Sequence, residues 1–207
     1  MQAAASTVAL ERRVPAEESA RADFYALLAR LFHGAPDARL LASIARAPAL
    51  DASSPLASAW GGLTAASHAM DADAAREEFG ALFAGVGKAE VPIYAGFYLG
   101  APAADHPRVR LRRELAHLGL APREDNSEPE DHLAGLFDVM RVLVAGGAGR
   151  AAASLAEQRR FFETYVAPAT QRFHAAINAA PTANYYRKVA GFAAAFVSFE
   201  SESFQLE

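Results

Sequence analysis

Apolar residues in this chain recur at intervals of three and four over nearly its whole length, and few folds are compatible with that pattern. Phe24, Leu27, Leu28 and Leu31 fall at i, i+3, i+4 and i+7, the signature of one buried helix face. The same rhythm returns at Trp60 and Leu63. It returns again at Leu133, Leu136, Phe137, Met140 and Leu143, and once more at Tyr185, Val189, Phe192, Phe196 and Phe199. No stretch keeps up the period-two alternation of a half-buried strand, and Val and Ile are sparse. Alanine, the best intrinsic helix former, fills roughly a quarter of the positions. The expected class is all-α: a bundle of about eight to ten helices.

Punctuation sets the expected boundaries. Pro36, Pro48 and Pro55 separate short helices after the first one ends near His33 and Gly34. A helix from about Asp73 to Phe83 stops at Gly85-Val86-Gly87, and another from about Arg108 to Leu118 closes on Gly119. The interval 88–107, with three prolines, two glycines and the aromatics Tyr94, Phe97 and Tyr98, is the least regular. The last third reads as two long helices, about 151–179 and 184–199. At 207 residues the chain suits one domain, with a flexible N-terminus over 1–15 and a helical body over 16–207. Within that body the division expected is an N-lobe over about 16–122, a hinge over about 123–130 and a C-lobe over about 131–207.

Composition excludes several chemistries. There is no cysteine, which removes disulfides, thiolate metal sites and thiol nucleophiles. The six histidines form no H-x-x-x-H or H-E-x-x-H pair, and there is no G-x-S-x-G elbow or phosphate-binding loop. A net charge of −4, with no concentrated basic face, disfavours nucleic acid as partner. No run approaches the roughly 18 apolar residues of a membrane span. The first ten residues also lack the order of a secretory signal, since the arginines follow the apolar stretch. The expectation is a cytoplasmic protein without stable membrane insertion. The arginine pairs Arg12-Arg13 and Arg112-Arg113 precede no apolar segment with a small-residue cleavage site, so they do not read as an export tag of this chain.

One segment carries specific chemistry. Arg123-Glu124-Asp125-Asn126-Ser127-Glu128-Pro129-Glu130-Asp131-His132 places five carboxylates at the entrance of an apolar helix. Two physical readings are open. Ser127 and Glu130 have the spacing of a capping box, with Pro129 in the first turn, and acids there complement the helix dipole. Alternatively, the cluster suits capture of a cationic peptide, because guanidinium groups form charge-assisted hydrogen bonds to carboxylates.

Glu128-Pro129-Glu130-Asp131-His132 resembles the E-P-x-D-H signature of the TorD/DmsD family of molybdoenzyme maturation chaperones. The similarity extends from about Ala20 to about Glu200. Leu82-Phe83-Ala84-Gly85 is similar to the family's L-F-x-G segment, and Tyr94-Ala95-Gly96-Phe97-Tyr98 to its aromatic-x-S-x-aromatic segment. Gln158, Phe161, Phe162, Pro168 and Phe173, then Tyr185-Tyr186-Arg187, follow the downstream pattern. The chain departs from it at Ile93, where proline is usual and Pro92 stands one residue early, at Gly96 in place of serine, and at Ala169 in place of tryptophan.

The resemblance implies a cytoplasmic, non-enzymatic chaperone with no cofactor or metal of its own. Its partner would be the twin-arginine signal peptide, or the apo form, of a molybdenum-cofactor oxidoreductase subunit. It would assist cofactor insertion and assembly before export, with homodimers formed by lobe exchange. The peptide-binding residues implied are Glu128, Pro129, Asp131, His132, Leu82, Phe83, Tyr94, Gly96 and Tyr98. A guanine-nucleotide site is carried only as an extra. The competing reading from residues alone is a metal-dependent helical enzyme using scattered Asp, Glu and His; it would need paired carboxylate–histidine motifs on two helices, and only one such cluster is present.

Overall fold

The computed structural model describes residues 16–84, 89–100, 106–121, 129–147 and 149–206. Among them the architecture is an all-α bundle without strands. The helices are α1 (Ala16–His33), α2 (Ala38–Ala45), α3 (Ala57–Ala69), α4 (Ala72–Phe83), α5 (Pro107–His117), α6 (Leu133–Ala145), α7 (Leu155–Phe161), α8 (Ala167–Ala179) and α9 (Tyr185–Leu206). The expected N-terminal segment 1–15, the stop at Gly85-Val86-Gly87 and most of the expected hinge lie outside the described residues.

Helix α1 is central because it has two apolar faces. Tyr25, Leu28 and Phe32 are fully buried, with Tyr25 and Phe32 meeting Phe137 of α6. Phe24 turns the other way, edge-on to Trp60 of α3 and to Phe192 and Phe196 of α9. Such ring pairs contribute about 0.5–1.5 kcal/mol beyond their buried area. α9 is buried over a wide arc and packs on α3, α4 and α8. Its Ala190 and Ala193 are fully buried and let neighbouring backbones approach closely. One apolar core runs through all of these, from Ala22 to Phe204.

Two boundaries differ from expectation. The helix expected over 151–179 begins at Leu155, where Ser154 and Glu157 form a reciprocal capping box. It then passes through a π-turn at Phe162–Val166 before α8. Pro168 supplies the reason: it has no N–H for the carbonyl of Thr164, and its ring would strike that carbonyl in a regular α-helix. A wider turn just before the proline relieves the conflict. The helix expected over 184–199 runs on to Leu206, since Phe204 packs on Phe162.

The capping box expected from Ser127 and Glu130 is corrected. α6 starts at Leu133, and its N-cap is His132, whose Nδ1 accepts the Ala134 N–H at 3.2 Å. Pro129 and Glu130 lie in the turn before the helix, and Ser127 is outside the described residues.

Candidate functional site

The site forms where the irregular segment 89–100 crosses the start of α6. Val91, Ile93 and Ala95 alternate inward along an extended stretch, leaving Tyr94 half-buried. A short 3-10 turn over Ala95–Phe97 then throws Phe97 outward, 70% exposed. Tyr98 returns to the core, edge-on to Phe173, and its hydroxyl donates to the Pro92 carbonyl at 2.6 Å. Burial raises the pKa of that hydroxyl, so it stays a proton donor. Arg172 holds the Tyr98 carbonyl from α8.

Backbone and side chain together lock the crossing. The Ala95 N–H donates to the Asp131 carbonyl at 2.7 Å, and the Leu133 N–H to the Ile93 carbonyl at 3.1 Å. The Tyr94 and His132 rings meet edge to face. The Asp131 carboxylate, 4% exposed, accepts the Gly96 N–H at 3.2 Å on one oxygen and Arg108 Nε at 3.0 Å on the other. This explains glycine at position 96: a Cβ there would lie 2.7 Å from Asp131 Oδ2. The serine usual in the resembled pattern would force the carboxylate away from its partners.

A second ion pair lies beside the first. Arg112 Nε donates to Glu130 Oε1 at 2.8 Å. Glu130 is held below the usual carboxylate range, first by a hydrogen bond from its own backbone and then by Arg112, against partial burial.

The residues implied for peptide binding therefore separate. Tyr94, Gly96, Pro129, Asp131 and His132 come together at the crossing, with Asp131 and His132 buried and tied to the chain itself. Leu82, Phe83 and Tyr98 lie beneath in the core, where Phe83 packs on Phe173 and Tyr186. Glu128 lies outside the described residues. Reasoning from sequence passed over Arg108, Arg112 and Glu130 as a set. The signal was available, since arginines at i and i+4 share a helix face.

A further carboxylate is structural. Glu78 of α4, buried, accepts the N–H groups of Asn184, Tyr185 and Tyr186 at 2.8–2.9 Å. It caps α9 from another helix, satisfying donors that the helix start leaves open. Among the described residues no cluster of three or more His, Asp or Glu is placed to hold a metal ion. None of the helices among them is long and apolar enough to cross a membrane.

The buried acids among the described residues, Glu78, Asp131 and Glu200, are paired with backbone N–H groups, guanidinium groups and, at Glu200, the Tyr25 hydroxyl. Residues 50–175, more than half of the chain, match the family described as nitrate reductase delta subunit, and the chain belongs to that family. The family is one of non-catalytic redox-enzyme maturation chaperones that act on molybdoenzyme catalytic subunits. No curated protein matches the chain individually.

Proposed function

We propose that the protein is a cytoplasmic chaperone of the TorD/DmsD type. It binds the twin-arginine signal peptide, the apo form, or both, of a molybdenum-cofactor oxidoreductase subunit, and holds export until the cofactor is in place. The observation that carries this reading is the crossing of segment 89–100 over the start of α6. There the half-buried Tyr94 meets His132, and the exposed Phe97 follows Gly96, whose N–H donates to Asp131. Apolar rings next to carboxylates match a ligand that combines guanidinium groups with an apolar stretch.

In this reading Tyr94, Gly96, Phe97 and Pro129 meet the peptide directly. Asp131 and His132 fix the crossing and supply charge, Glu128 adds a carboxylate, and Leu82, Phe83 and Tyr98 support the surface from the core. The expected hinge over about 123–130 would let the two lobes adjust, or exchange between protomers of a homodimer. A flexible peptide loses freedom on binding, which keeps affinity moderate and release possible.

Calorimetric titration with a synthetic peptide carrying an Arg-Arg pair before an apolar segment, and with its Gln-Gln variant, at low and high salt, tests the proposal. Binding should favour the arginine peptide and weaken with salt, as exposed ion pairs are screened within about 8–10 Å. An apolar remainder should persist. Equal affinity for the two peptides would remove the guanidinium claim and shift the recognition to the body of the client.

A further inference from the structure

Helix α5 is held in large part by polar contacts. It buries only Pro107, Leu111 and Leu115, one residue per turn, and the rest of its attachment is polar. Arg108 reaches Asp131, Arg112 reaches Glu130, Glu114 receives Arg160 at 2.6 Å, and the carbonyl of Leu118 receives Arg150. In the first two pairs the carboxylate is the more sheltered partner, Asp131 buried and Glu130 partly buried, while Arg108 is 43% and Arg112 68% exposed. A desolvated carboxylate requires a cation, but an exposed guanidinium on a lightly packed helix is a replaceable one.

The composition of α5 also matters. Its sequence Arg108-Val109-Arg110-Leu111-Arg112-Arg113 contains a twin-arginine pair and, between the two ion-paired arginines, Val109, one of the few large apolar residues exposed among those described. Two guanidinium groups thus sit at the two carboxylates, on a helix that also exposes an apolar side chain, the combination proposed above for the ligand. We infer that α5 is a resident occupant of the arginine receptor formed by Glu130 and Asp131, and that a client's arginines bind by taking the places of Arg112 and Arg108. The inference rests on the signal-peptide reading and adds its mechanism. Each carboxylate keeps a guanidinium throughout, so neither is stranded. The free protein is guarded against casual cations, and apparent affinity is lowered by the fraction of molecules in which α5 is seated.

Hydrogen exchange followed by mass spectrometry on the unchanged protein, with and without the Arg-Arg peptide, tests the exchange. Residues 107–117 should lose protection on binding while α6 and α9 keep theirs. Arg112→Gln provides the second test. Because Arg112 is exposed, the variant should melt within a degree or two of the parent, and it should bind the Arg-Arg peptide about two- to fivefold more tightly, the scale of one exposed ion pair. If the peptide binds and α5 keeps or gains protection, or if Arg112→Gln binds no more tightly, α5 is not a competitor and the inference falls while the function stands. If the unchanged protein does not prefer the Arg-Arg to the Gln-Gln peptide, the signal-peptide reading itself fails and takes the inference with it.

Discussion

Two buried carboxylates, each paired with an arginine, are built for opposite purposes. Glu200 of α9 is fully buried and meets Arg21 of α1, which is 17% exposed. Arg21 also donates to Glu18 at 2.8 Å and lies over the Phe204 ring, while the Tyr25 hydroxyl donates to Glu200 at 2.7 Å. Burial works against the charged guanidinium, but the hydrogen bonds and charge of Glu200 prevail and raise the Arg21 pKa. Burial and the same carboxylate raise that of Tyr25. The Asp131–Arg108 pair has an equally hidden acid, yet its cation stands on the weakly packed α5 with 43% exposure. One pair ties two central helices together; the other has a cation that can leave.

The comparison breaks first, and hardest, at Glu200. Replacing it with Ala leaves the buried Tyr25 hydroxyl without its acceptor and Arg21 with Glu18 as its remaining carboxylate, and should cost about 3 kcal/mol, read as a lower midpoint in urea. A loss below about 1 kcal/mol would mean that the pair is no lock. Next comes Glu78→Ala, which leaves the first N–H groups of α9 unsatisfied and should cost about 2 kcal/mol. Faster hydrogen exchange at Tyr185 and Tyr186 would localise the effect.

At the exchangeable pair the largest change should be in binding. Asp131→Asn removes the charge that Arg108 and Gly96 share, so stability falls by about 1–3 kcal/mol. Calorimetry below the melting transition should still give about tenfold weaker binding of the Arg-Arg peptide per folded molecule, with the Gln-Gln peptide unaffected. If both peptides weaken equally, Asp131 only shapes the crossing. Gly96→Ala should mimic it in part, since the added Cβ would press on the Asp131 oxygen.

The smallest expected effect is at His174 on α8, whose pKa burial lowers. A lowered folded value means that the unfolded chain takes up the proton first. Stability is therefore full above about pH 6.5 and declines slightly as pH falls through that value. His174→Gln should remove that small acid-side decline in melting temperature. A decline that persists in the variant assigns it to other groups.

The helices were legible because their cause is local. The spacing of Leu133, Leu136, Phe137, Met140 and Leu143 marked the buried face of α6, and all five are buried. The boundaries that escaped were set by competition beyond periodicity. Pro168 forced a π-turn into a helix whose apolar pattern is continuous, and His132 rather than Ser127 became the cap because Asp131 is drawn into the crossing. The acidic motif marked the right place on the chain, but not what its acids touch.

By itself the sequence determined the helical class, the main apolar faces and the positions where acids and aromatics concentrate, since these depend on residues three or four apart. Only the tertiary structure decided the partners: Asp131 with Gly96 and Arg108, 35 and 23 residues away, Glu78 with the start of α9, and Glu200 with Arg21, 179 residues away. Chain closure over such lengths is governed by the packing of the whole core. Which arginine finds which carboxylate follows from the directions in which α1, α5, α6 and α9 leave that core, and no local spacing records those directions.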